Sequence, residues 1–208
     1  MRHWLKRPML RVAVLIVLAG ISLPARSKPE VAPQETFLSG QLLVAAPNIG
    51  DPRFERTVVL LLKHNRNGAL GIVINRPIGE RPLAELMSVI GEDTTGIKGS
   101  VPIFAGGPVQ PEAGFVLHST DYRRAETRDV AEGLAVTSTH EILVDIAHQK
   151  GPKKALIAFG YAGWGPGQLE NEMALHGWFT APADPKLVFD DDREKLWQDA
   201  MARRTQEL

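Results

Sequence analysis

His118 closes the apolar run GFVLH and is followed directly by Ser119, Thr120 and Asp121. A histidine at a strand end can serve as a general base, and hydroxyl and carboxylate groups nearby would suit hydrolysis or a metal-dependent reaction. Neighbours in sequence do not form a triad by that fact alone, however, and no G-x-S-x-G elbow is present. HEILV, residues 140–144, falls short of the zinc pattern HExxH because Val144 stands where the second ligand belongs. His140 and His148 lie two helical turns apart, too far to share one metal. The chain has no cysteine, which excludes thiol catalysis, disulfides and Cys-type zinc sites. These residues assign no metal and no cofactor, and His118 is the one catalytic candidate.

Two short constellations suggest binding instead. Asn75-Arg76-Pro77 and Gly106-Gly107-Pro108 each end an apolar run at a proline. Arg76 with the amides of Gly106 and Gly107 could form a small anion site; the alternative is plain strand termination, with Arg76 anchoring an acid. The stretch GYAGWGPGQLENE, residues 160–172, begins like a dinucleotide-binding turn at Gly163-x-Gly165. Gly167 then arrives one residue early, and Pro166 removes an N–H from the loop that should donate to phosphate. A tight turn around Trp164, served by Gly163, Gly165 and Gly167, accounts for these glycines better, and a β-branched residue at Gly165 is expected to destabilise the fold, by about 1–3 kcal/mol if φ there is positive. The indole is expected to pack one face and present the other beside Gln168 as a partner-binding tip. Glu170 and Glu172 fall in the first turns of a following helix, where carboxylates complement the dipole.

The elements that must position these residues follow a polar start. Arg2, Lys6, Arg7 and Arg11 precede an unbroken run at residues 12–25, and no acid occurs before Glu30. This is a signal-peptide pattern over residues 1–27, with a proline-containing linker at 28–36 and the folded domain at 37–208. As a helix the run would reach only about 21 Å, short of a bilayer core of about 30 Å, so no permanent span is expected. Export, with a periplasmic destination, is the expectation; the alternative is a cytosolic protein carrying an upstream extension. Without residues 1–27 the chain holds 19 basic and 24 acidic residues, a net of −5. No electrostatic footprint for nucleic acid remains, so the expected partner is a protein or a small ligand.

Apolar periodicity predicts strands at 41–46, 57–64, 69–75, 101–106, 114–118, 134–138 and 154–163. Asn67-Gly68 suits a hairpin turn between the second and third. Helices are expected at 81–91, with Leu83, Leu86, Met87 and Ile90 on one face and Gly91 as the stop, and at 140–149, 168–177 and 192–204. Ser138 and Glu141 have capping-box spacing. The irregular interleaving argues for a mixed α/β (α+β) domain rather than a doubly wound sheet.

GQLLVAAPNIGDPRFERTVVLLLKHNRNGALGIVINRP, then FAGGPV and GFVLH, then GYAGWGPGQLENEMALHGWF, together resemble the bacterial YqgE/AlgH family, in the right order from about Gly40 to Ala200. The resemblance implies a compact domain on a strongly coiled, partly barrel-like sheet with flanking helices. It implies little chemistry; the family carries a transcriptional-regulator label, linked to alginate control. The reading is a non-enzymatic binding or regulatory domain, with a hydrolase or metal-dependent enzyme centred on His118 and a transcriptional regulator as alternatives. His118 in a pocket within about 3 Å of a carboxylate would favour the enzyme. A fusion of residues 1–35 to a reporter active only outside the cytosol should be active; an inactive reporter, with the intact protein in the cytosolic fraction, would remove the export reading.

Overall fold

The first three apolar runs become the antiparallel strands β1 (Gln41–Ala45), β2 (Val58–Asn65) and β3 (Gly68–Val73). Alternate side chains of a strand point to opposite faces, so an unbroken apolar run requires both faces to be covered. Leu42, Val44, Leu60 and Ile72 join one core, while Leu43, Ala45, Val59 and Leu61 join another. The computed structural model describes residues 37–205, which lie within one compact unit, Thr36–Leu208. The expected leader (1–27) and linker (28–36) lie outside the described residues.

The remaining strands are β4 (Pro77–Pro82), β5 (Ser100–Ala105), β6 (Val109–Ser119), β7 (Arg128–Ala131), β8 (Leu134–Thr137), β9 (Ala155–Trp164) and β10 (Trp178–Pro182). Their order is β10-β1-β2-β3-β9-β6-β8-β7, with β5 also on β9 and β4 on β5. Every pairing is antiparallel except β5 with β9. The result is a curled half-barrel with flanking helices, the mixed α/β fold expected from the sequence. Helices α4 (Pro185–Val188) and α5 (Leu196–Ala202) contribute Leu187, Val188, Leu196 and Ala200 to the first core. Helix α3 (Gln168–Ala174) adds Leu169 to the second. Helices α1 (Leu83–Val89) and α2 (Glu141–Ala147) flank a third core, around Ile103, Val116, Ile142 and Ile157. Leu83 and Met87 of α1 are buried as its periodicity predicts, and Gly91 follows it at φ +80°.

Strand β9 belongs to both halves of the sheet. Its first half lies between β5 and β6, and its last three residues, Ala162 to Trp164, pair with β3. Gly160 marks the change of partner. It has φ +75°, and a Cβ there would sit 2.5 Å from the Gly107 carbonyl oxygen. Gly106 threads the gap: its N–H donates to Phe159 O (2.7 Å) and its carbonyl accepts from Val73 N (2.8 Å). A Cβ on Gly107 would lie 2.0 Å from the Tyr161 carbonyl carbon, so the backbones cross where only glycine fits.

Several sequence expectations change here. The long glycine loop contracts, because β9 continues through Gly160 and Gly163 to Trp164. Positive φ belongs to Gly160 and Gly167, not to Gly165. Strands β4, β7 and β10 were not anticipated; β4 is exposed along its whole length and begins and ends in proline, so it carries no alternating apolar signal. Strand β6 begins at Val109, ahead of the strand expected at 114–118, by means of an irregular register between Val109 and Gly114. The capping box at α2 does not form, since His140 at the N-cap already has helical dihedrals. Gly160→Ala and Gly107→Ala should each lower unfolding free energy by about 2 kcal/mol or more, while Gly165→Ala should stay within about 0.5 kcal/mol. Denaturant titration of the three variants checks this, and equal losses would contradict the crossing.

Candidate functional site

Trp164 ends β9, Trp178 begins β10, and α3 runs between them. This brings Glu172 of α3 beneath both indoles. Its Oε2 accepts from Trp164 Nε1 (2.9 Å) and Trp178 Nε1 (2.8 Å), while Oε1 accepts from Gln168 Nε2 (2.9 Å). Gln168 Oε1 in turn accepts from Gly165 N at 3.1 Å. Phe54, from the 3-10 turn Pro52–Phe54, stacks on Trp164 at 6.4 Å and meets Trp178 edge-on at 5.4 Å. Trp164 is only 6% exposed, so the expected half-exposed tip is a buried anchor. The polar end of each indole is met by a carboxylate, which lets two tryptophans pack side by side. Beside them lies a cavity of about 490 Å³ with Arg53, Pro108 and Gln168 on its wall and Leu175, 82% exposed, at its edge.

A second cavity, of about 230 Å³, shares Arg53, Phe54 and Pro108 with the first and adds Arg76 and Gly107. Thus Arg76, Gly107 and the Trp164–Gln168 segment, which are distant in sequence, line adjoining cavities. Arg76 is half-buried. Its guanidinium donates to Thr57 Oγ1 (2.7 Å) and Glu55 O (3.1 Å), and among the described residues it has no acidic partner. Asn75 is a brace: Oδ1 accepts from Val58 N and Nδ2 donates to Arg56 O, both at 2.9 Å. Gly106 leaves the proposed anion set, because its amide is spent on Phe159 O.

His118 is fully buried. Nδ1 donates to Ser119 O and Nε2 accepts from Thr137 Oγ1, each at 3.0 Å, and Thr127 Oγ1 continues the chain at 2.8 Å. Desolvation pushes its pKa below the ordinary imidazole range, outweighing the Ser119 carbonyl. Both ring nitrogens are used by neutral groups, and Asp121 instead accepts from Ser119 Oγ. The imidazole thus reaches neither a carboxylate nor solvent. No group of three His, Asp or Glu side chains among the described residues could hold a metal.

The sequence reading missed one pairing. His64 of β2, 3% exposed at its side chain, meets Glu170 of α3 at 2.8 Å, in a cavity of about 360 Å³. From the sequence, Glu170 has only a first-turn position that complements the helix dipole. The two residues are 106 positions apart, and no local signal joins them.

Trp164→Ala should cost about 3–5 kcal/mol of stability, as removal of a buried aromatic does. Trp164→Phe should cost less, keeping most of the packing but leaving Glu172 one donor short. Unchanged melting of the alanine variant would return the indole to the surface.

The AlgH-like family model matches residues 42–208. A UPF0301 protein of Jannaschia sp. (strain CCS1) is 46% identical over 166 residues, covering 79% of this chain and 86% of the relative. One from Caulobacter vibrioides is 44% identical, covering 80% and 87%. Among solved structures, the AlgH protein of Pseudomonas aeruginosa superposes with a TM-score of 0.70 at 39% identity, over 85% of this chain and 92% of that one. A Corynebacterium diphtheriae protein shares the fold at a TM-score of 0.62 and 24% identity, over 81% and 87%. With most of both chains aligned at this identity, and with the same curled sheet, the chain belongs to the AlgH-like family.

Proposed function

We propose that the domain is a non-enzymatic binding module whose ligand places an anionic group beside Arg76 and an apolar group along Phe54 and Leu175. The observation that carries this reading is the half-buried Arg76 guanidinium, positioned by Thr57 and Glu55 and unneutralised among the described residues, on a cavity that adjoins the Trp164 cleft. A guanidinium already oriented by neutral acceptors has lost much of its rotamer freedom, so a carboxylate or phosphate meets it at reduced entropic cost. Arg53 is the second cation on this surface, shared with Asp51 at 2.6 Å. The burial of His118 supports binding over hydrolysis.

The partner is a protein or small molecule bearing the anion. The net charge of −5 without residues 1–27 weighs against nucleic acid and against a DNA-binding regulator. The basic, apolar leader supports action outside the cytosol. Among the described residues no helix is long and apolar enough to cross a membrane.

Titration of the full-length protein with phenyl phosphate, followed by amide NMR shifts, should produce saturable changes at Arg76 and Gly107. Arg76→Gln should weaken binding at least about tenfold, the loss of one charge-assisted contact. No shift at these two residues, or equal binding by the variant, would overturn the proposal.

A further inference from the structure

We propose that the cavity containing His64 and Glu170 is a separate site for an alkylammonium group, with the cation on Glu170 and its aliphatic chain against Met173 and Phe179. The hydrogen bonds around His64 decide what this pair can do. Leu38 N–H donates to Nδ1 at 3.0 Å, so the ring proton resides on Nε2 and is donated to Glu170 Oε1 at 2.8 Å. With its lone pair occupied, this imidazole is neither a general base nor a metal ligand. It serves instead to orient the carboxylate.

Glu170 is 52% exposed at its side chain, whereas His64 is almost wholly enclosed. Burial raises the Glu170 carboxyl, but its own backbone amide and the His64 N–H outweigh burial and hold it below the usual carboxylate range. It is therefore an anion at neutral pH. Among the described residues the cavity lining includes Leu38, Met173, Trp178 and Phe179 and holds no lysine, arginine or second carboxylate; Arg204 stacks on Phe179, its guanidinium carbon 5.6 Å from the ring centroid, and the remaining titratable group of the lining is His176. A single oriented anion beside apolar walls selects a cation with an apolar body. Hard metal ions require several oxygen ligands, and zinc requires the nitrogen that Leu38 already occupies. A volume of about 360 Å³ accommodates a short alkyl chain with room for a longer substituent. This site shares no residue with the Arg76 cavity and only His176 and Trp178 with the Trp164 cleft; Glu170 lines neither of those, so the ammonium site and the anion site can fail separately.

The test is NMR titration of the full-length protein at pH 7, observing the Met173 methyl and the Phe179 ring. n-Butylammonium should give saturable shifts at both, and n-butanol, of the same length without charge, should bind at least about fivefold more weakly. Glu170→Gln keeps an acceptor for the His64 N–H and removes only the charge, so it should lose butylammonium binding about tenfold or more while its melting is little changed. Equal binding of butanol and butylammonium would overturn the proposal, as would unchanged binding to a folded Glu170→Gln variant. If that variant does not fold, the butanol comparison in the wild-type protein decides alone. Nα-acetyl-lysine amide separates the sources of the cation: binding comparable to butylammonium assigns the site to a lysine side chain, and binding of butylammonium alone assigns it to a free amine. Both uphold the ammonium site.

Discussion

The backbone crossing at Gly106, Gly107 and Gly160 organises the domain. Strand β9 must leave β5 and join β3 within a few residues, and at that point two chain segments approach more closely than any Cβ permits. Gly106 supplies one hydrogen bond to each diverging strand, so the switch leaves its own amide and carbonyl satisfied. Because the switch turns the end of β9 toward β3, Trp164 lands on the same face as Leu43, Val59 and Leu61. Without it there would be no common surface for Phe54, Trp164 and Trp178. The same crossing carries Gly107 and Pro108 to the edge of the Arg76 cavity.

Around this framework the polar side chains fall into two kinds. Glu172 and His118 are consumed by structure: the first accepts three N–H donors, and the second closes a threonine chain and a backbone carbonyl. Each satisfies groups that would otherwise be costly to bury. Arg76 and Glu170 differ. Both are positioned by neutral partners and face cavities with their charge intact, the arrangement that favours recognition of an oppositely charged group. The distinction concerns charge compensation more than residue type, since in α3 both carboxylate oxygens of Glu172 accept from side-chain N–H groups, whereas Glu170, two positions earlier, meets one such donor.

Much of the fold was legible before any contact was known. The apolar runs of β1, β2 and β3, the inward face of α1 with Gly91 as its stop, and the strand ending in GFVLH are all carried by local periodicity and turn chemistry. The exposed β4 has no such periodicity, because it is held by pairing with β5 and not by burial. Gly165 drew attention as part of a glycine cluster, yet the conformational demand falls on Gly160 and Gly167.

The sequence by itself determined the family, the mixed fold class, the absence of cysteine chemistry and the residues Asn75, Arg76, Gly106, Gly107, Trp164 and Gln168 as surface candidates, of which the structure turns Asn75 and Gly106 to bracing the backbone. Those conclusions rest on residue type, order and short spacing. Only the tertiary structure decided that Arg76, Gly107 and the Trp164–Gln168 segment line adjoining cavities, that Trp164 is buried, that His118 is enclosed, and that His64 meets Glu170. Such facts depend on pairings between distant segments, and the 106 residues between His64 and Glu170 leave no periodic trace in the chain. The physical reason is that hydrogen bonding and desolvation act across space, whereas propensity and periodicity act along the backbone.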